Sequence, residues 1–329
     1  MDWRAVRYLI LILAWRCNLR CPYCYNGESG DAEASPELLE ELFQKLRGGA
    51  APLLIQLTGG EPLMAPERLF QAARAARELA RADGRKVTVA LQTNGTLLSR
   101  GALLELKRWG VQIGVSLDGP PFVQEEIRGG ARETTRGLEL MKELGIFFNV
   151  TSVVTEANVS LLSELALFLG GYPNARGFGL DLLTLKGRGK ARPADPEALE
   201  AAARELKRTL LALNSKRERP LASREINLLA ETGRRGGRKD FCAACRGASL
   251  AVTPEGELYP CGQAAGVAEF SMGTLASPTR AAPLGETLAG PQCASCPVAG
   301  SCPGECPGRL IFNGATGREL ACALYRGLF

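Results

Sequence analysis

The sequence of 329 residues contains no histidine. That absence excludes Ser-His-Asp and Cys-His catalysis, zinc sites that depend on imidazole, and imidazole acid–base chemistry. Any proton transfer must therefore use carboxylates, tyrosine, lysine, thiols or water.

Long hydrophobic runs are absent as well. The apolar stretch 8–15 is too short to span a bilayer. Trp15 and Arg16, rather than small residues, precede Cys17, which argues against a signal peptide. We therefore interpret the stretch as a buried strand and expect no membrane partner.

Positive charge is only slightly in excess, with a formal net charge of +5. The content of 46% hydrophobic and 23% charged residues is typical of a soluble globular protein. The densest basic run lies among glycines at residues 234–239. Such a run predicts a solvated surface loop rather than a nucleic-acid interface, so we expect no nucleic-acid partner.

The eleven cysteines are the most informative residues that are present. Their odd number and their C-x-x-C clusters favour metal binding in a reducing, cytoplasmic location over a set of disulfides. Three of them, Cys17, Cys21 and Cys24, are separated by three and then two residues. Three thiolates on one short loop suit three corners of a [4Fe–4S] cluster. One iron would then stay open to a small molecule, which indicates radical chemistry.

The other eight cysteines lie in the last third of the chain, as Cys242, Cys245, Cys261, Cys293, Cys296, Cys302, Cys306 and Cys322. Their spacing admits two tetrahedral zinc ions, as in zinc ribbons with paired C-x-x-C knuckles. It also admits two fully ligated [4Fe–4S] clusters. Spacing alone leaves both alternatives open.

The first two thirds of the chain alternate predicted strands and helices. Apolar runs predict six strands, at residues 8–14, 53–57, 86–91, 111–117, 147–154 and 178–185. Helical spacing of apolar residues predicts helices at 36–46, 66–82, 103–109, 134–144, 161–169 and 196–213. Repeated strand–helix units imply an α/β fold with a parallel sheet that is closed, partly closed or doubly wound.

Polar turns follow several of the predicted strands. They are Gly-Gly-Glu-Pro at 59–62, Thr-Asn-Gly at 93–95 and Ser-Leu-Asp-Gly-Pro at 116–120. The cysteine triplet follows the first strand. Loops that all follow the carboxyl ends of strands describe the mouth of a barrel-like sheet, and we expect the functional site there.

The cysteine triplet, the turns at 59–62 and 116–120 and the arginine at position 128 together resemble the radical S-adenosylmethionine (SAM) superfamily. The resemblance implies a partial (β/α)6 TIM-like barrel, in which the amino and carboxylate groups of SAM bind the open iron. It also implies SAM-binding roles for Tyr23 near the adenine, Gly59, Gly60 and Glu61 at the amino group, Ser116 and Asp118 near the ribose, and Arg128 at the carboxylate. A guanidinium fork suits that last role. A plain ion pair is the alternative for Arg128.

The order of the later cysteines resembles the SPASM extension of radical SAM maturases, which favours iron–sulfur clusters over zinc. By that resemblance Cys242, Cys245, Cys261 and Cys306 hold a first auxiliary cluster, and Cys293, Cys296, Cys302 and Cys322 hold a second. The cofactors implied are therefore three [4Fe–4S] clusters and SAM. The predicted domains are a radical SAM partial barrel at 1–185, a connector at 186–241 and a SPASM domain at 242–329. In better-known members more residues separate the first two of these cysteines.

The resemblance implies that SAM is cleaved reductively to a 5′-deoxyadenosyl radical, which abstracts hydrogen from a peptide or protein substrate. We expect an oxidative modification of a ribosomally made peptide, such as a thioether or carbon–carbon crosslink, with the auxiliary clusters as an electron relay. The expected electron donor is a flavodoxin- or ferredoxin-type protein. The chain starts almost at its first strand, without room for a fused leader-recognition domain. We therefore expect the precursor to be recognised by the barrel, by the connector or by a separate leader-peptide-binding protein.

Two enzymatic alternatives stay open, namely maturation of a haem- or quinone-type cofactor and sulfatase maturation. In the anaerobic sulfatase-maturating enzyme an Asp follows the third ligand of the first auxiliary cluster, whereas Gly262 stands here. The usual His-Asp pair after the turn at 116–120 is replaced by Gln124 and Glu125. Both departures argue against sulfatase maturation. The alternatives of another class are an iron–sulfur electron carrier and a zinc-binding nucleic-acid module.

Overall fold

The computed structural model describes residues 1–27, 30–237, 240–279, 284–285 and 293–329. Within these residues the strands and α-helices follow one another as β1 (Tyr8–Ile12), α1 (Pro36–Lys45), β2 (Leu53–Thr58), α2 (Pro66–Asp83), β3 (Val87–Thr93), α3 (Arg100–Arg108), β4 (Gln112–Ser116), α4 (Pro121–Ile127), α5 (Ala131–Glu143), β5 (Phe148–Val154), α6 (Leu162–Gly170), β6 (Ala175–Leu182), α7 (Pro196–Asn214), β7 (Ala222–Ser223), α8 (Arg224–Arg234), β8 (Ser249–Val252), β9 (Leu258–Tyr259) and α9 (Pro307–Leu328). Arg238 and Lys239, two residues of the predicted basic loop, lie outside the described residues.

The predicted strands and helices are all present, with ends that differ by a few residues. Local chemistry sets the helix starts. In α1, the Ser35 hydroxyl accepts from the Leu38 N–H at 3.1 Å, and Pro36 occupies the first helical position. The short helix α4 lies in a stretch that had no predicted helix, and β8, β9, α8 and α9 were not predicted either.

The described strands form one sheet with the order β7-β6-β5-β4-β3-β2-β1-β8-β9. Strand β1 pairs in parallel with both β2 and β8, and β2 pairs in parallel with β3. The pairs β5–β6 and β6–β7 are also parallel, whereas β8 and β9 are antiparallel. The predicted α/β class with a mainly parallel sheet is therefore confirmed.

By packing, the chain divides into two compact units. Unit 1 comprises Met1–Asn18, Asn26–Gly114 and Cys242–Gly285, and unit 2 comprises Leu19–Tyr25, Val115–Phe241 and Glu286–Phe329. Each unit combines early and late parts of the chain. The division into 1–185, 186–241 and 242–329 stays a prediction.

Unit 1 has its core around β1. Leu9 and Leu11 of β1 are fully buried, as expected of a strand covered on both faces. The parallel pairing of β1 with β8 places Leu9 opposite Leu250. Residues that the sequence analysis assigned to a separate SPASM domain therefore extend the sheet of this unit.

Unit 2 has α9 packed against α7 as its most extensive helix contact. The approach is close at Gly327 near the end of α9, where a Cβ would lie 2.4 Å from the Glu200 carbonyl oxygen and 2.7 Å from the Ala203 Cβ. Helix α9 is interrupted at Gly314, whose φ of 55° and ψ of −129° are not helical.

Among the described residues, no helix has the length and apolar character needed to cross a membrane.

We predict that Gly327→Ala lowers the free energy of unfolding by about 1–3 kcal/mol, because the added methyl group overpacks the contact between α9 and α7. Gly101→Ala in α3 is the matched control, since no atom of another element in the described residues lies within 4 Å of its Cβ position. There the gain in helix propensity should raise stability by up to about 1 kcal/mol. Chemical denaturation of both variants measures the two effects, and equal effects of the two substitutions would contradict the packing argument.

Candidate functional site

Two glycines allow the turn after β2 to lie against the backbone that leads into the cysteine loop. The Gly60 N–H donates to the Ala14 carbonyl at 2.8 Å, and the Glu61 N–H donates to the Arg16 carbonyl at 2.8 Å. A Cβ on Gly59 would lie 2.3 Å from the Ala14 oxygen, and one on Gly60 would lie 2.3 Å from the Arg16 oxygen. Because only glycine permits this approach, the turn fixes the chain directly before the first cysteine.

The fully buried side chain of Glu61 joins two of the polar turns. Its Oε1 accepts from the Leu63 N–H at 3.0 Å and from the Thr93 hydroxyl at 2.7 Å. Its Oε2 accepts from the Asn94 N–H at 2.7 Å. The carboxylate therefore holds the turn at 59–62 to the turn at 93–95.

Asn94 brings a side-chain amide to the first cysteine. Its Nδ2 lies 3.9 Å from Cys17 Sγ and donates to Asn18 Oδ1 at 2.9 Å. Its Oδ1 accepts from the N–H and the hydroxyl of Thr96, at 2.9 and 2.7 Å. The Thr-Asn-Gly turn is visible in the sequence, but no role was predicted for Asn94. Its position directly after β3 is the sequence signal that could have indicated a functional side chain.

The remaining part of the cysteine loop belongs to unit 2. There the Cys24 N–H donates to the Cys21 carbonyl at 3.2 Å, which forms a turn between the two thiols. Cys21 and Tyr23 pack in an apolar cluster with Val123 and Ile127 of α4. The unpredicted helix α4 thus supports the loop that carries these two cysteines.

Tyr23, Asp118 and Arg128 contact one another in unit 2. The Tyr23 hydroxyl donates to Asp118 Oδ2, and Arg128 Nη1 donates to the Tyr23 hydroxyl oxygen at 2.5 Å. Arg128 Nη1 also lies 3.6 Å from Asp118 Oδ2. Asp118 Oδ1 accepts from the Val153 N–H at 2.8 Å. Three of the predicted SAM-binding residues are thus brought together, and Arg128 forms an ion pair with Asp118.

Burial controls the ionisation of this trio. Burial raises the pKa of Asp118, and the Arg128 guanidinium opposes that rise. Burial also raises the pKa of Tyr23 well above its usual value, while Arg128 again acts in the opposite direction. Tyr23 therefore stays a neutral hydrogen-bond donor at physiological pH.

The residues around this trio have structural partners of their own. The Gln124 Oε1 accepts from the Asp118 N–H at 3.0 Å, and the Glu125 Oε2 accepts from the Ala131 N–H at 2.8 Å at the start of α5. These bonds give Gln124 and Glu125 structural roles at the ends of the surrounding turns. Ser116 is the half-buried last residue of β4.

All eleven cysteines lie within the described residues and are thiols rather than disulfides. In the first predicted auxiliary set, Cys242, Cys245 and Cys261 belong to unit 1 and Cys306 to unit 2. The Cys245 N–H donates to the Cys242 carbonyl at 3.2 Å, and Cys261 Sγ accepts from the Gln263 N–H at 3.2 Å.

The second predicted auxiliary set lies together in unit 2. Burial raises the pKa of the Cys302 thiol, and the nearby thiols of Cys322, Cys296 and Cys293 raise it further. Within the described part of the chain, no three Cys, Asp or Glu side chains converge tightly enough to ligate one metal ion. The thiolates of a [4Fe–4S] cluster bind different irons, so they need not converge in this way.

A line of charged side chains connects the cysteine-rich end of unit 2 with β6. The Glu305 carboxylate accepts from the Cys306 N–H at 2.5 Å and pairs with Arg309 at 2.6 Å. Asp181 of β6 lies 3.8 Å from Arg309 and 2.8 Å from Arg224. Opposite charges alternate along this line, which offsets the cost of burying them.

Comparison with protein families matches residues 11–169 to the Radical SAM superfamily. The matched segment is just under half of the chain, and over it the chain resembles the radical SAM superfamily.

Known relatives of this chain have several activities. It is 27% identical over 341 residues to a serine-type anaerobic sulfatase-maturating enzyme of Klebsiella aerogenes. The aligned region covers 94% of this chain and 81% of that enzyme. It is 30% identical over 207 residues to an AdoMet-dependent heme synthase of Methanosarcina barkeri, or 57% of this chain and 56% of the synthase. The chain likewise spans 64% of an uncharacterized protein of Methanocaldococcus jannaschii, so two of these three relatives are matched over less than two thirds of their length.

Solved structures with the same fold include peptide-bound proteins. The structure of anSMEcpe with AdoMet and the Cp18Cys peptide has a TM-score of 0.80 at 21% identity and covers 98% of this chain and 95% of that chain. The structure of Streptococcus suis SuiB with the precursor peptide SuiA has a TM-score of 0.66 at 17% identity, with coverage of 96% and 76%. The predicted partial-barrel fold of radical SAM proteins is therefore confirmed.

The similarity to this superfamily implies a [4Fe–4S] cluster and SAM. The donor chemistry of this chain fits the cluster. Cys17, Cys21 and Cys24 are thiols on one loop, and Asn94 presents an amide N–H toward Cys17. Soft thiolates are the ligands that iron–sulfur clusters require.

We predict that Glu61→Gln lowers the free energy of unfolding by about 1–3 kcal/mol. The new amide group would face one of the donors from Leu63, Thr93 and Asn94 and leave it unsatisfied. Thr93→Ser is the matched control, because the serine hydroxyl keeps the bond to Glu61 and the bond from the Gly95 N–H. The control should cost about 1 kcal/mol, for the one buried methyl group that it removes. Urea denaturation of both variants measures the difference in the free energy of unfolding. An equal or smaller loss of stability for Glu61→Gln would show that the carboxylate does not hold the two turns together.

We predict that the stability difference between the wild type and Asp181→Asn depends on pH. Burial raises the pKa of Asp181, but Arg224 and Arg309 outweigh it and lower the pKa below its usual value. A lowered folded-state pKa contributes stability above the unfolded-state pKa of about 3.9, and this contribution is lost as the pH falls through the folded-state pKa. The wild type should thus be more stable than the variant at pH 7, by less than about 1 kcal/mol because the carboxylate is partly exposed. Urea denaturation at pH 7 and below pH ~4 measures the difference, and a constant difference would contradict the ion pairing.

Proposed function

We propose that this protein is a radical SAM enzyme that oxidatively modifies a side chain of a ribosomally made peptide or of a protein. When bound, the [4Fe–4S] cluster and SAM supply a 5′-deoxyadenosyl radical, which abstracts hydrogen from the substrate. Crosslinks of the thioether or carbon–carbon type are the proposed products. Fold neighbours that bind peptides, anSMEcpe with Cp18Cys and SuiB with SuiA, support a peptide substrate.

One observation carries the oxidative part of the proposal, namely the grouping of Cys293, Cys296, Cys302 and Cys322 in unit 2. Hydrogen abstraction removes one electron from the substrate, and completing a two-electron oxidation requires an acceptor for the second. Four thiols complete a cluster without an open iron, which suits electron transfer rather than substrate binding. The same logic gives Cys242, Cys245, Cys261 and Cys306 a second auxiliary cluster, for three clusters in all.

In this proposal Cys17, Cys21 and Cys24 hold the radical-generating cluster. The residues proposed to bind SAM are Tyr23, Gly59, Gly60, Glu61, Ser116, Asp118 and Arg128. Among those of unit 2, the Asp118–Arg128 ion pair and the neutral Tyr23 hydroxyl keep the buried charge balanced. A flavodoxin- or ferredoxin-type protein supplies the electron, a separate protein binds the leader peptide, and the location is cytoplasmic.

Sulfatase maturation is the second candidate, because the Klebsiella aerogenes relative matches nearly the whole chain. Haem-cofactor maturation has support from the Methanosarcina barkeri synthase over about half of the chain. The residue after Cys261 favours crosslinking over sulfatase maturation in this proposal. Gly262 has no side chain to accept a proton there, and Gln124 and Glu125 are engaged by backbone groups.

We predict that the reconstituted protein converts SAM to 5′-deoxyadenosine under dithionite. Cys21→Ala should abolish this cleavage, because it removes a ligand of the open-iron cluster. Cys296→Ala is the matched control at an auxiliary position and should retain cleavage while losing about four irons from a total of about twelve per chain. Chromatography of 5′-deoxyadenosine and iron analysis give the two readouts.

Absence of cleavage in a fully loaded wild type would refute the enzyme proposal. Iron near about four per chain, with roughly two zinc, would support the zinc-binding module instead. Incubation with the Cp18Cys peptide separates the remaining candidates, since conversion of its cysteine to formylglycine would favour sulfatase maturation.

A further inference from the structure

Residues 187–190, Gly-Arg-Gly-Lys, follow β6 and run along the cysteine loop within unit 2. We call this segment the strap. The Arg188 N–H donates to the Cys24 carbonyl at 3.1 Å, and the Lys190 N–H donates to the Pro22 carbonyl at 3.1 Å. In the sequence these residues were predicted only to begin the connector at 186–241.

The Arg188 side chain adds a third bond, from its Nη1 to the Cys21 carbonyl at 3.4 Å. The carbonyls of Cys21, Pro22 and Cys24 therefore all accept from the strap. Since a backbone carbonyl that stays unpaired is costly when water is excluded, the strap fixes the conformation of this half of the loop.

The approach of the strap depends on a glycine at one position. A Cβ on Gly187 would lie 2.2 Å from the Cys24 carbonyl oxygen and 2.8 Å from the Tyr25 carbonyl carbon. Gly189 has a similar positive φ, 58° against 77°, but its nearest atom would be the Gly187 oxygen at 3.9 Å. The two glycines are therefore alike in backbone conformation and differ in contact with the loop.

The residues just before the strap are hydrogen-bonded to α9. The Leu185 N–H donates to Asn313 Oδ1 at 2.8 Å, and Asn313 Nδ2 donates to the Leu183 carbonyl at 2.6 Å. Asn313 is a buried residue of α9. The strap thus links α9 to the turn that carries Cys21 and Cys24.

We propose that the strap positions Cys21 and Cys24 as cluster ligands, and that Arg188 raises the reduction potential of the cluster they hold. This inference rests on the proposed radical-generating cluster at Cys17, Cys21 and Cys24. Outer groups that orient the ligands change both metal affinity and electronic properties. A fixed positive charge stabilises the reduced cluster, which carries one more negative charge, and so favours its reduction.

The positioning part is tested with Gly187→Ala and its control Gly189→Ala, each reconstituted with iron and sulfide. Gly187→Ala should lose about four irons per chain and the change that SAM causes in the EPR spectrum of the reduced cluster. Gly189→Ala should keep both. Equal iron content and equal EPR response in the two variants would overturn this part.

The electrostatic part is tested with Arg188→Gln and its control Lys190→Gln, which removes an exposed charge from the same strap. Redox titration followed by EPR should place the SAM-responsive cluster of Arg188→Gln at a more negative potential than that of the wild type. Lys190→Gln should leave the potential unchanged, and Arg188→Lys should restore part of the shift. A potential of Arg188→Gln equal to that of the wild type would overturn this part.

The two proposals fail in different ways. A reconstituted wild type without a SAM-responsive cluster refutes the proposed function. A wild type with that cluster and no effect of position 187 or 188 refutes only the strap. If Gly187→Ala loses every cluster through misfolding, the Arg188 titration still decides, since that substitution introduces no Cβ clash.

Discussion

The Gly59-Gly60 turn lies so close to Ala14 and Arg16 that their backbones bond directly, with N–H to oxygen contacts of 2.8 Å. The chain entering the cysteine loop leaves β1 along this path, so the position of Cys17 depends on the absence of two Cβ atoms. Glu61, the next residue, then joins the same turn to the one after β3 through its buried carboxylate. In this way one turn fixes the entry to the cysteine loop and, through Glu61, also holds the turn after β3.

The second half of the loop, besides its backbone contacts with the strap, depends on electrostatics. Asp118 is buried at the end of β4, where burial works against its negative charge and Arg128 compensates it. Tyr23 contacts both, and it stands directly before Cys24. Removing either charge would leave the other buried without a partner, which costs far more than the pair gains. The loop is therefore held by a balanced pair that tolerates little change.

The fold was largely predictable, because parallel strands buried on both faces produce continuous apolar runs and the helices between them have regular apolar spacing. Strand β8 escaped prediction since it has four residues and pairs with β1, which lies about 240 residues earlier. Such a pairing depends on tertiary contact that no local pattern encodes. At the site, the cysteines and turns were visible as motifs, whereas the assignment of the later cysteines to two clusters stays a prediction. The partners of Glu61, the ion pair of Arg128 and the strap were not visible, because each joins segments far apart in sequence.

Substrate choice does not follow from the fold, because solved structures with this fold hold different peptides. It must follow from the groups that contact the substrate. The chain offers no histidine as a base, and a glycine follows Cys261 where the sulfatase-maturating enzyme has a carboxylate. Proton removal must then fall to another carboxylate, tyrosine or thiol, or to a substrate whose own thiol ionises readily. A cysteine that becomes the nucleophile of a thioether bond meets this requirement without a protein base, so the missing side chain at position 262 and the proposed crosslinking chemistry are consistent with each other.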